Sequence, residues 1–137
     1  MNKAAIADFQ YKVNSLNQYE IADEALNKIF KKLEAENNGL LYSQHYPLEG
    51  GDVDQYGNYY RNQIKINKEG SIFLSAKHIG EICNDTQHIG VEEFIKTGGD
   101  LEELTNTIFQ IASDIAEAQK VTTHGLDKFI ITLEALL

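Results

Sequence analysis

Two histidines flank the single cysteine at equal distance: His78, Cys83 and His88 stand five residues apart. Thiolate and imidazole are both zinc ligands, and a zinc site needs three or four of them converging. On a continuous helix five residues turn the chain by about 500°, some 140° past a full turn, so the three side chains diverge. A bend after Asn84 is needed to gather them. A Cys83 nucleophile activated by a histidine is the other chemistry of this set. Its neighbours Glu81 and Asp85 raise a thiol pKa, which opposes a reactive thiolate. A small buried cysteine beside ordinary histidines fits the spacing better. The sequence therefore predicts no metal, no cofactor and no catalytic residue.

Asp52-Val53-Asp54-Gln55-Tyr56-Gly57-Asn58 resembles the front half of a calcium loop, with aspartates at positions 1 and 3 and glycine at 6. Tyr56 stands where the fifth position wants Asp or Asn, and Gln63 where the twelfth wants a bidentate Glu. A polar turn between two strands suits these residues better. Around it lie Tyr42, Tyr46, Tyr56, Tyr59 and Tyr60. Tyrosine buries much area with few torsions and keeps a polar tip, so it anchors protein interfaces as readily as it fills small sheets. Tyr59 and Tyr60 are adjacent, so a regular strand points them to opposite faces.

The charge distribution is lopsided. From Glu81 to Glu117 nine acids face one base, Lys96, giving −8 locally against −9 for all 137 residues. Such a field repels nucleic acid and anionic membranes, and it speeds encounter with a basic protein. Glu92, Glu93, Glu102 and Glu103 are the acids expected to face that partner, with Tyr56, Tyr59 and Tyr60 as anchors. Acids in first helical turns also serve the macrodipole, which is the plainer role for these four. The twelve Lys and Arg are scattered, with no basic stripe and no glycine-rich phosphate loop.

The elements that must position these residues follow from periodicity. Ile6, Phe9, Val13, Leu16, Tyr19, Ala22, Leu26, Ile29 and Leu33 step by three or four, the mark of a helix. One rod from Ala4 to Glu36 would measure about 50 Å, against a radius of gyration near 14 Å for a compact chain of this length. A break at Asn14 to Gln18 is therefore expected. Unbroken, the rod overhangs and meets another chain. Asn37-Asn38-Gly39 ends it. Leu40 to Tyr46 reads as a strand that Pro47 ends or places at an edge. Gly50-Gly51-Asp52 reads as loop and Tyr59 to Ile66 as strand. Asn67-Lys68-Glu69-Gly70 reads as a hairpin turn with glycine at positive φ, and Ser71 to Ser75 returns. Ser75 then caps a short helix through Cys83. Val91 to Thr97 is a second short helix, stopped by Gly98-Gly99. Asp100 and Glu103 form a capping box for a helix ending near Gln119. Thr122 or Thr123 begins a last helix whose apolar face runs to Leu137.

Together these elements predict one α+β domain over residues 1–137: N-terminal helices, a small antiparallel sheet with a hairpin in the middle, and C-terminal helices. The first ten residues hold too short an apolar run for a signal peptide, and no stretch approaches a membrane span of about 20 residues. A cytoplasmic protein that binds neither nucleic acid nor membrane is expected. Small, acidic, cysteine-poor and without a catalytic motif, the chain has the general character of a stoichiometric inhibitor. The leading expectation is an immunity protein that blocks a basic, nuclease-type toxin. The alternatives are a phage-type inhibitor of a nucleic-acid enzyme, a small enzyme with a cleft histidine or carboxylate, and a homo-oligomer joined through the N-terminal helix.

Overall fold

A computed structural model describes residues 3–53, 55–79 and 86–137, without the side chains of residue 9 and residues 11–16. The order of elements is α1 (Lys3–Asn37), β1 (Gln44–Val53), β2 (Tyr59–Ile66), β3 (Ile72–Ile79), β4 (Thr86–His88), α2 (Val91–Lys96) and α3 (Leu101–Leu136). The strands form one antiparallel meander in the order β1-β2-β3-β4. The α+β class is as the sequence predicts.

One face of the sheet makes the core. Ile64 opposes Leu74 and Ile66 opposes Ile72 across β2 and β3. Phe30 and Leu33 of α1, Leu48 of β1, Phe94 of α2, and Leu104, Ile111 and Ile115 of α3 close over them. Burying each such side chain contributes roughly 1.5–3 kcal/mol. Local hydrogen bonds then fix the joints. Buried Asn37 donates from Nδ2 to the Leu41 carbonyl and accepts the Leu41 N–H at Oδ1, both 2.8 Å, turning the chain out of α1. Gly90 offers α2 no side-chain cap, and Asp23 of α1 accepts the Val91 N–H instead, at 2.8 Å. Asp100 caps α3 by accepting the Glu102 N–H at 2.9 Å. The reciprocal half of the capping box is absent, because Glu103 turns away and accepts the Glu49 N–H of β1 at 2.7 Å.

The hairpin at Asn67 to Gly70 forms as expected. Gly70 has φ +86° and its N–H donates to the Asn67 carbonyl, while Asn67 Oδ1 accepts from Glu69 and Ser71. Pro47 takes the second role offered for it, inside the edge strand β1.

Several boundaries differ from the expectation. β1 starts at Gln44 and runs through Gly50-Gly51, where its pairing with β2 shifts at a bulge between Pro47 and Gly51. The Gly51 N–H donates to the Thr97 carbonyl at 2.9 Å, so a glycine pair that reads as loop is a strand docked on the end of α2. Ser75 lies within β3 and pairs with Gln63 and His88, so it caps no helix. Ala76 to Ile79 of that expected helix are likewise strand, and its remainder, residues 80–83, lies outside the described residues.

The two long helices differ most. α1 has no break at Asn14 to Gln18, and α3 passes Gln119 to Thr123 without interruption. At 1.5 Å per residue they are about 52 and 54 Å long. Small polar residues lower helix propensity by only tenths of a kcal/mol each, too little to break a rod held at its other end by packing. Both helices therefore overhang. α1 meets the body from about Tyr19 and Asp23 onward and ends at the β2–β3 hairpin, where Gly39 faces Gly70. α3 passes that same end, where Gln119 donates to the Glu36 carbonyl, and continues to Leu136.

Candidate functional site

The free part of α3 carries the densest run of exposed large apolar side chains among the described residues. Every residue from Val121 to Leu137 is exposed, including Leu126 (56%), Phe129 (57%), Leu133 (45%) and Leu136 (79%). At 100° per residue, Leu126, Phe129, Ile130, Leu133, Leu136 and Leu137 all lie within about 60° of Ile115. Ile115 is 2% exposed and packs in the core. One stripe therefore seats the first half of α3 in the body and runs on into solvent. His124, Asp127, Lys128 and Glu134 lie off this stripe. An exposed apolar patch of this kind on a folded domain marks an interaction site. Where the stripe leaves the body, Ala35, Glu36, Asn38, Leu40, Gln119, Thr122 and Thr123 line a hollow of about 470 Å³.

The overhang of α1 is less informative. Of its described side chains up to Glu20, Tyr19 alone is half-buried and the others are exposed, Ile6 by 43%.

The four glutamates split into two local settings. Glu92 pairs with Lys96 at 2.8 Å, and that hydrogen bond raises the lysine's pKa. Glu93 is exposed and borders a cleft of about 430 Å³ with Asp52, Tyr60, Asn62 and Thr97. Glu102 and Glu103 border a separate shallow groove with Tyr46, Asp100 and Gln110. Tyr56 and Tyr59 are exposed at the β1–β2 end, at 79% and 44%. Tyr60 faces the other way, packed edge-on against His78 at 5.2 Å. The structure thus joins Tyr60 to Glu93 and leaves Tyr56 and Tyr59 on the solvent side.

The histidines do not converge. His78 opposes Tyr60 on the core-side face, whereas His88 opposes Ser75 on the other face and stacks on Phe73 at 3.9 Å. A strand sends alternate residues to opposite faces, so these two rings cannot share a ligand. Cys83, Glu81 and Asp85 lie outside the described residues, as does Asp54 of the calcium-like turn. Asp52 of that turn caps its own neighbour, accepting the Val53 N–H at 2.8 Å. Among the described residues no three His, Cys, Asp or Glu side chains are placed to hold a metal ion. Nor is any helix there long and apolar enough to cross a membrane.

Sequence reading missed two features. Tyr46 donates to Asp114 Oδ2 at 2.8 Å, tying β1 to α3. Burial first, then that bond and its charge, push the phenol well above its usual pKa. The second feature is a concentration of bases on the second face of the sheet. Arg61 opposes Lys77, and Lys65 lies two residues further along that face of β2 from Gln63. Lys65, Lys68, Lys77 and His45 line a hollow of about 520 Å³ there, with Glu69 as its one acid. The bases sit on different strands, so no linear spacing announces them.

No family model, curated protein or solved structure matches this chain.

Proposed function

We propose that this protein is a non-catalytic binding protein that works as a self-associated assembly, joined through the free half of α3. One observation carries the reading: the apolar stripe of α3 continues for seventeen exposed residues past the body. Burying an exposed leucine or phenylalanine contributes roughly 1.5–3 kcal/mol, so six of them outweigh the cost of joining two chains. The occupant is a second copy of this chain. The polar side of the helix, away from the stripe, is mixed in sign, with Lys120, Asp127, Lys128 and Glu134, which does not suit an anionic lipid face. The sequence offers the N-terminal helix as one alternative route to association. α3 offers the larger described apolar face, and the association is assigned there.

Sedimentation velocity over a concentration series tests this. Wild type is expected to associate at micromolar concentration. Leu126→Lys with Leu133→Lys is expected to give folded monomers whose circular dichroism melt no longer depends on protein concentration. A wild type that stays monomeric at 100 µM overturns the reading. So does a monomer that binds neutral lipid vesicles through these leucines.

A second reading rests on the acidic rim. Glu92, Glu93, Asp100, Glu102 and Glu103 line α2 and the first turn of α3, offset there by Lys96. Such a rim suits a basic protein, in keeping with neutralisation of a nuclease-type toxin or inhibition of a nucleic-acid enzyme. Its signature is association that slows as salt rises and that is lost on reversing Glu93 and Glu102 to lysine.

A further inference from the structure

We infer that the open face of the sheet binds a single nucleic-acid strand, with its phosphates on Arg61, Lys65, Lys68 and Lys77 and its bases on Tyr59 and His88. This stands apart from the self-association proposed above.

Register assembles the face. β2 sends Tyr59, Arg61, Gln63 and Lys65 to the side away from the core residues Ile64 and Ile66. Lys77 opposes Arg61 on β3, and His45 opposes Lys65 on β1. None of the paired positions on this side of the four strands is an acid. The three helices close on the other side, where Phe30, Phe94 and Ile111 pack. In a chain with 21 acids and 12 Lys and Arg, four of those twelve gather here. Arg61 beside Lys77 weakens the sheet, because like charges directly opposite repel. Among the described residues none of the four forms an ion pair. Folding gains nothing from this arrangement, and a bound anion would offset its cost.

The spacing calls for several anions in a row. Lys65 and Arg61 stand four residues apart on one strand, about 14 Å. Gln63, 3% exposed, floors the gap and donates to Ser75 Oγ at 3.2 Å. One phosphate cannot reach both ends, whereas a chain of phosphodiesters spans them. Aromatic rings flank both ends. Tyr59 is exposed two residues from Arg61, and exposed His88 lies flat on Phe73, which opposes Lys65. The carboxylates of an acidic peptide make no use of such rings, and the bases of a duplex are already stacked. Unpaired bases fit them. The acids of α2 and α3 belong to the layer behind the core face, and a screening length of about 8 Å at physiological ionic strength mutes them here.

Fluorescence anisotropy with a labelled 12-nucleotide deoxythymidylate tests this, beside a duplex of the same length and a 12-residue glutamate peptide. At low salt, wild type is expected to bind the single strand with a dissociation constant of about 10 µM or tighter. Four phosphate contacts set the slope of log affinity against log salt at about −3. Lys77→Glu is expected to weaken binding at least tenfold while melting no lower than wild type, so lost binding there is not lost folding. Tyr59→Ala is expected to weaken it about fivefold or more. Lys31→Glu, the same charge change on exposed α1, is expected to leave it within about twofold. No binding at 100 µM protein overturns the inference. So does an equal fall for Lys31→Glu and Lys77→Glu, which would mean net charge and not this face. Tighter binding of the duplex refutes the single strand as occupant. Equal affinity for the glutamate peptide, with Tyr59→Ala silent, makes an acidic protein segment the occupant and refutes the nucleic-acid assignment.

Discussion

Adding one methyl group at Gly51 is expected to be among the most damaging small changes this chain can suffer. A Cβ built there lies 2.0 Å from the Tyr60 carbonyl oxygen and 3.2 Å from the Arg61 Cα, both backbone of the paired strand. No side chain can swing aside, so β1 must move by about 1.5 Å to reach an ordinary van der Waals contact. That movement also strains the Gly51 N–H bond to the Thr97 carbonyl, the joint between β1 and the end of α2. Overpacking costs roughly 1–3 kcal/mol and a backbone hydrogen bond about 1 kcal/mol more, so Gly51→Ala should cost about 3 kcal/mol. Gly57 is the control. It has φ +81° but nothing within 4 Å of a built Cβ, so Gly57→Ala meets backbone strain alone, about 1 kcal/mol. At roughly 3–4 °C per kcal/mol for a chain of this length, the melting temperature should fall by about 10 °C for the first and about 3 °C for the second. Thermal melts by circular dichroism read this, at one protein concentration, because association makes the melting temperature concentration-dependent. Equal losses, or a silent Gly51→Ala, would refute the close approach of β1 to β2.

Gly70→Val should cost about 1 kcal/mol or more in urea titration, because φ is +86° there and a branched side chain resists it, and a Cβ already touches Gly39 and Asn37. Tyr46→Phe should flatten the alkaline limb of a pH–stability curve. The folded phenol holds its proton above the usual value, so its stabilising contribution is complete below about pH 10 and fades as pH climbs beyond it. Loss of the same slope in wild type and variant would clear Tyr46 of that role. Lys77→Glu should raise stability by about 0.5 kcal/mol at low salt, since it turns a like-charged pair with Arg61 into an opposite one, and the gain should shrink in 1 M salt.

Much of the fold was legible, and the reasons differ by element. Tyr59 to Ile66 and the Asn67 to Gly70 turn declare themselves because alternation and turn chemistry are local. Val91 to Thr97 is readable from its flanking glycines. The Gly50-Gly51 pair misleads because its role is set by Tyr60, Arg61 and Thr97, which are distant in sequence. Asn14 to Gln18 and Gln119 to Thr123 look like breaks because polar residues interrupt the apolar rhythm. Nothing local tells a helix that its length is unsupported. Of the expected interaction residues, the exposure of Tyr56 and Tyr59 is visible in the structure. The charges of Glu92 and Glu103 are partly engaged, with Lys96 and with the Glu49 N–H. The apolar run from Leu126 to Leu137 was plain in the sequence. That it stands clear of the body was not, because that depends on where α1 ends.

The rims of the sheet carry one more consequence. An antiparallel sheet exposes a row of unpaired backbone groups at each side, and each row is a template for a foreign strand. Here β1 presents Pro47, which has no N–H to offer, and a bulge that breaks its line. The N–H of Glu49 is held by Glu103 and that of Gly51 by Thr97. The far rim is β4, three residues long, and beyond it Glu34 takes the Ile72 N–H at 2.7 Å while Ile89 occupies the Leu74 carbonyl. Among the described residues neither side offers a long straight run of unpaired groups for fibril growth. A chain with so much bare leucine on one helix has described sheet rims that are interrupted or short, so crowding it should yield discrete assemblies and not fibres.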